Sequence, residues 1–211
     1  NQYAADLRND DRFHFLNRTS GSLSAVSMNH EVAPFDDVRV RRALMVGLDR
    51  DTIIQVMEMG EGTAQYGMVV SALPFYSQAF EDESAKMNAY NRDTAIALLA
   101  DAGYGPGDLE VDYILTGSER NVRQASLVQA QLAEIGVTVD LQTLESATYS
   151  ARRKAGEFGL RPSGYGTLTA DILSFFWHPE QSSNLDRIKD AEFSRLLDNA
   201  RHTLGEDRAA A

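Results

Sequence analysis

The segment Leu109–Leu141 constrains the fold more than any other stretch of the chain. Leu109, Val111, Tyr113 and Leu115 alternate with Glu110, Asp112 and Ile114. A period of two is the mark of a strand. Ser118 then offers a side-chain oxygen to the free N–H groups at a helix start. Ala125, Val128, Leu132 and Ile135 follow on one helical stripe. Gly136 stops the helix, and Val137, Val139 and Leu141 alternate as a second strand. Two strands joined by such a helix run parallel through a right-handed crossover. The expected fold class is therefore α/β: a mixed sheet with a parallel β-α-β core, helices on both faces and a ligand face at one edge.

The flanking segments fit around that core. Phe13–Leu16 and Leu23–Met28 read as two short strands joined by a turn at Ser20-Gly21-Ser22. Pro34–Gly60 reads as two capped helices. Asp36 is placed to cap the first, with Phe35 closing over Val40 as a hydrophobic staple. Asp49 or Asp51 caps the second, and Gly60 stops it. Residues 75–90 read as a long loop pinned by Phe75, Tyr76, Phe80 and Tyr90. Asn91 caps a helix that Gly103 ends, with Ala95, Leu98, Leu99 and Ala102 on its apolar face. Further helices are expected over 146–155, 171–177 and 190–203, with an extended segment over 158–166.

Charge and composition narrow the function. The 211 residues carry a formal charge of −11, which argues against a nucleic-acid or anionic membrane surface. There is no cysteine, so a disulfide framework and a thiol nucleophile are both excluded. His14, His30, His178 and His202 lie far apart, and HExxH is absent; no metal site and no cofactor are expected. The stretch around Ser163 is not a GxSxG elbow, since Arg161 stands where the first glycine is needed. Gly103–Gly107 runs from a helix into a strand, the reverse of a phosphate loop. No carboxylate pair stands out as an acid/base couple, so no catalytic residue is assigned and the chain is not read as an enzyme.

The stretch Gly159–Asp171 is low in charge and rich in Gly, Ser, Thr and Tyr. Glycines let backbone groups approach a ligand, Tyr165 can stack or donate, and Ser163 and Thr167 add polar groups. An ordinary loop at a strand end would look much the same.

Several segments carry a resemblance. Pro34-Phe35-Asp36-Asp37-Val38-Arg39-Val40-Arg41-Arg42-Ala43-Leu44, followed by Leu48-Asp49-Arg50-Asp51-Thr52-Ile53-Ile54, is similar to the signature of the family 5 extracellular solute-binding proteins. Tyr90–Tyr104, with its polar cap, leucine pair and alanine-glycine-tyrosine, and Gln129–Val137, ending in isoleucine-glycine-valine, resemble further landmarks of that family. Its glycine-tryptophan is Gly164-Tyr165 here, and its Asp-Pro is Asp171-Ile172.

The resemblance spans about residues 13–208 and implies a lobe of the periplasmic-binding-protein type. Residues 1–211 are then a single α/β lobe, the second of two, truncated at both ends, with lobe I absent from the chain. It implies the substrate-binding component of an ABC importer, periplasmic or anchored to the cell surface as a lipoprotein. Such a protein captures a small solute, a peptide first of all, between two lobes and delivers it to the membrane permease. Nickel complexes, opines and oligosaccharides are the alternatives within the same fold. The ligand-binding residues it implies are Ser163, Gly164, Tyr165, Gly166 and Thr167, with Asn29 and Arg153. A carboxylate-based hydrolase and an acidic interaction module are the rivals from other classes.

Overall fold

A computed structural model describes residues 7, 10–14, 16, 21–73, 76–166 and 171–203. Strand β1 (Ser22–Met28) leads to helices α1 (Val38–Val46), α2 (Arg50–Glu58), α3 (Gln78–Asn88) and α4 (Arg92–Asp101). The centre is β2 (Leu109–Thr116), α5 (Glu119–Glu134) and β3 (Val137–Leu144). Helix α6 (Ser146–Ala155), strand β4 (Leu160–Gly166) and helices α7 (Ile172–Trp177) and α8 (Ala191–His202) follow.

The sheet order is β1-β4-β2-β3. Strands β2 and β3 pair in parallel from Leu109↔Val137 to Thr116↔Leu144. Strand β4 joins β2 in parallel at Tyr113↔Leu160, and β1 closes the edge antiparallel, Ser22 opposite Gly166. The mixed α/β sheet with a parallel core is thus the one that the alternation of residues 109–141 implied. The chain steps out from β2 to β3, then back across β2 to β4. Two right-handed crossovers in opposite directions place α5 and α6 on opposite faces.

One apolar cluster joins the sheet to the helices. Val111, Tyr113, Leu115, Val137 and Val139 meet Val128 and Leu132 of α5, Val40 and Leu44 of α1, and Ala95 and Leu99 of α4. Pro34–Gly60 is scaffold, as its caps and stripes indicate. Three caps fall where the residue types placed them. Asp49 accepts from the N–H groups of Asp51 and Thr52 at 3.1 and 3.2 Å. Asn91 accepts from Thr94 N–H at 2.8 Å, and Ser118 from Asn121 N–H at 3.3 Å. Ser118→Ala is expected to lower stability by about 1 kcal/mol, a fall of roughly 2–4 °C in the melting temperature for a chain of this size. Circular dichroism on heating checks it.

Three expectations are corrected. The cap of α1 is Asp37, not Asp36. Its carboxylate accepts from Arg39 N–H at 2.7 Å, and the bonds from Arg39 hold its pKa down at about 2. The one-residue shift takes Phe35 and Val40 out of staple register, although both are buried. Residues 75–90 are not one loop, because α3 occupies 78–88 and is capped by Ser77. Of the strand expected over Phe13–Leu16, the described residues Phe13, His14 and Leu16 carry none. Asp10 closes a turn there, accepting from Phe13 N–H at 3.0 Å and from the Arg12 guanidinium at 2.6 Å.

Candidate functional site

Strand β4 is Leu-Arg-Pro-Ser-Gly-Tyr-Gly. It pairs with β1 along its whole length but is tied to β2 at Leu160. Pro162 has no N–H for a ladder on either side. Beyond it β4 pairs with β1 alone, and a cavity of about 400 Å³ opens along β4. Open α/β sheets bind ligands at the carboxyl ends of their strands. The walls are Arg161–Tyr165 of β4, Tyr149 and Arg153 of α6, Phe176 and Trp177 of α7, Asn121 at the start of α5, and the Ser183–Asp186 turn.

A buried ion pair forms one wall. Arg161 Nη2 lies 2.5 Å from Asp186 Oδ1, and the two residues are 7% exposed each. Asp186 Oδ2 accepts from Ser27 Oγ at 3.0 Å and Trp177 Nε1 at 3.3 Å. The Asp186 carbonyl accepts from His30 N–H at 2.9 Å. Burial pushes the His30 pKa down, with the Arg41 charge adding to the effect and Asp186 opposing it. The Arg161 guanidinium lies 5.4 Å from the centre of the Phe158 ring. Its Nε has no hydrogen-bond partner, and neither does the buried Nε of Arg153.

Aromatic rings continue the wall beside the ion pair. Tyr165 lies 5.8 Å from Trp177, edge to face, and 6.1 Å from Phe176. The Tyr165 hydroxyl donates to the Met68 carbonyl, and burial pushes its pKa up to about 12. It therefore works as a neutral donor and a ring surface.

The residues nominated from sequence separate into groups. Arg153, Ser163, Gly164 and Tyr165 come together around the cavity. Gly166 is the last residue of β4, opposite Ser22. Thr167 lies outside the described residues. Asn29 is 1% exposed and lines neither this cavity nor the larger groove described below. Its amide donates to the Gly156 carbonyl at 2.8 Å and accepts from Glu31 N–H at 3.1 Å, which joins the end of β1 to the α6–β4 connection. Arg161, Asp186 and Trp177 line the cavity without having been singled out. Arg161 is the one charge inside β4, and Trp177 is the only tryptophan of the chain. Those were the available signals.

A second, wider groove of about 1080 Å³ runs between β1, α2, residues 61–71 and α5, and shares Ser163 with the first. Its deeper walls are core residues such as Leu44, Val128 and Leu132. Among the described residues, Asp186 is the only carboxylate lining the smaller cavity. Among the described residues, no three His, Asp or Glu side chains converge as a metal site. The arrangement supports binding through donors and rings.

Comparison with known proteins agrees with this architecture. The model for bacterial extracellular solute-binding proteins, family 5 Middle, matches residues 1–186. Heme-binding protein A of Haemophilus influenzae is 31% identical over 206 residues, covering 93% of this chain and 37% of its own. Di/tripeptide-binding protein 2 of Pseudomonas aeruginosa is 29% identical, covering 98% of this chain and 40% of its own. The structure of HbpA2 from Haemophilus parasuis superposes with a TM-score of 0.88 at 26% identity, over 99% of this chain and 42% of that one. The chain thus spans about two fifths of the length of the proteins it matches. With the family model covering most of its residues, the chain belongs to the family 5 bacterial extracellular solute-binding proteins.

Proposed function

We propose that this chain is the second lobe of a solute-capture protein serving an ABC importer. Its cavity beside β4 is one half of the ligand site. The observation that carries the reading is the gathering of Arg153, Ser163, Gly164 and Tyr165 around that cavity, in a chain whose family is made up of solute-binding proteins. The first lobe closes the other half by hinge motion, and the closed form is handed to a membrane permease from the periplasm or from a lipoprotein anchor. Peptide is the leading cargo, since di- and tripeptides are named for one relative; nickel complexes, opines and oligosaccharides fit the same fold. Gly166 extends the contact surface, and Asn29 holds its frame. A single carboxylate in the cavity favours binding over a carboxylate-pair hydrolase, which needs two.

A lobe that supplies half of the enclosing contacts binds weakly. Calorimetry of this chain with di- to pentapeptides is expected to show no sub-micromolar affinity. A tight, stoichiometric isotherm would overturn the half-site reading.

A further inference from the structure

Glu81 is a buried carboxylate that lines neither cavity, and its bonds go to a strap that borders one of them. It sits in the first turn of α3 and is 8% exposed. Its Oε1 accepts from Tyr66 N–H at 2.6 Å, and its Oε2 from Gly67 N–H at 2.8 Å and Gln65 Nε2 at 2.6 Å. A carboxylate withdrawn from water keeps its charge only where such donors surround it. The fit is close. A Cβ on Gly67 would fall 2.8 Å from Glu81 Oε2 and 3.3 Å from the Phe80 ring, so a side chain there would push the strap off the carboxylate. The Tyr66 ring is covered by the Arg50 guanidinium, 4.6 Å from its centre. Arg50 is itself anchored on the Met45 and Asn88 carbonyls at 3.2 and 3.3 Å.

The next residue carries the contact onward. The Met68 carbonyl accepts from the Tyr165 hydroxyl. Residues 65–68 line the wide groove, Tyr165 lines the smaller cavity, and Ser163 lines both. The Met68–Tyr165 bond thus joins one lining to the other. Tyr165 in turn lies edge to face with Trp177 at 5.8 Å.

We infer that Glu81 is a positioning residue for the ligand site. It fixes residues 65–67, these fix the Met68 carbonyl, and that carbonyl sets the Tyr165 ring against Trp177 at the cavity wall. The inference rests on the solute-capture reading, because the wall that Glu81 holds belongs to that site.

The sole tryptophan reads this wall without any ligand. Trp177 is 9% exposed, and its quenching by acrylamide is the measurement. Glu81→Gln can accept at one oxygen only and turns an amide N–H toward N–H donors, so quenching is expected to rise about twofold or more. Gly67→Ala keeps the carboxylate and displaces the strap instead, and should give the same rise. In the Tyr165→Phe background there is no hydroxyl to hold, so Glu81→Gln should change the quenching no further. Ser77→Ala removes the side-chain oxygen that caps α3. It should lower stability and leave the quenching as it is, because the strap is untouched. Equal rises with and without the Tyr165 hydroxyl, or a rise of the same size in Ser77→Ala, would make Glu81 a support of α3 alone and overturn the inference. Unchanged quenching in both Glu81→Gln and Gly67→Ala would overturn it as well. Solute capture would stand in each of these cases, since no ligand enters the test. A failure of capture in the calorimetry above would leave the quenching result intact.

Discussion

Asp186→Ala will destabilise the protein by about 3–5 kcal/mol, the largest single-site loss expected outside the apolar core. The reason is what the carboxylate holds. Asp186 accepts from Arg161 at 2.5 Å, Ser27 at 3.0 Å and Trp177 at 3.3 Å. It thereby ties β4, β1 and α7 to the turn that follows α7. Removing it leaves a guanidinium that is 93% shielded by its neighbours without a counter-charge. A buried charge stripped of its partner loses its Coulomb compensation and keeps its desolvation penalty. For a chain of this size the loss amounts to roughly 6–20 °C in melting temperature. Urea unfolding followed by Trp177 emission measures it. Arg161→Gln added to Asp186→Asn should recover more than half of the loss, because no lone charge remains. A change below about 1 kcal/mol for Asp186→Ala would show that water reaches the pair and screens it.

The contrast between what could and could not be read from the residues follows from range. The β2–α5–β3 unit was legible because its pattern is local: alternation at 109–115, a stripe from Ala125 to Leu132, and a stop at Gly136, whose φ is +84°. The caps at Asp49, Asn91 and Ser118 were legible for the same reason, since each bonds within three residues. Helix α3 was not. Its buried face is Glu81 and Ser84, so no apolar period marks it. Glu81 accepts from Gln65 Nε2 at 2.6 Å and from the N–H groups of Tyr66 and Gly67 at 2.6 and 2.8 Å. Polar bonds to a segment 14–16 residues away thus hold this helix in place of a hydrophobic stripe. The candidate site was half legible. Ser163, Gly164 and Tyr165 stood out by composition, while the Arg161–Asp186 pair spans 25 residues and exists only once β4 and the turn after α7 are packed together.

Gly164 shows how a residue nominated for ligand contact can be fixed by packing first. Gly164→Ala is expected to lower stability by about 3 kcal/mol, at the upper end of what overpacking costs. A Cβ at 164 would fall 2.3 Å from the Leu23 carbonyl oxygen and 3.3 Å from Ser24 Cα. Both obstacles are backbone of β1, so relief requires β1 and β4 to separate and the register from Ser22↔Gly166 to Met28↔Leu160 to loosen. Gly166, two residues on, is the control. The nearest atom to a Cβ there is the Ser22 hydroxyl oxygen at 2.9 Å, a side-chain atom and not backbone. Gly166→Ala should therefore change stability by no more than about 0.5 kcal/mol, as for an ordinary surface position. The pair separates two demands on glycine in the same strand. At 164 the neighbouring strand requires it, and the open cavity wall beside Ser163 and Tyr165 is a consequence of that close approach. At 166 no backbone atom requires it, so a loss of ligand affinity in Gly166→Ala, at unchanged stability, would come from the ligand alone. Denaturant midpoints for the two variants decide the matter, and equal losses would mean that β1 yields to a methyl group at 164 without disturbing the sheet.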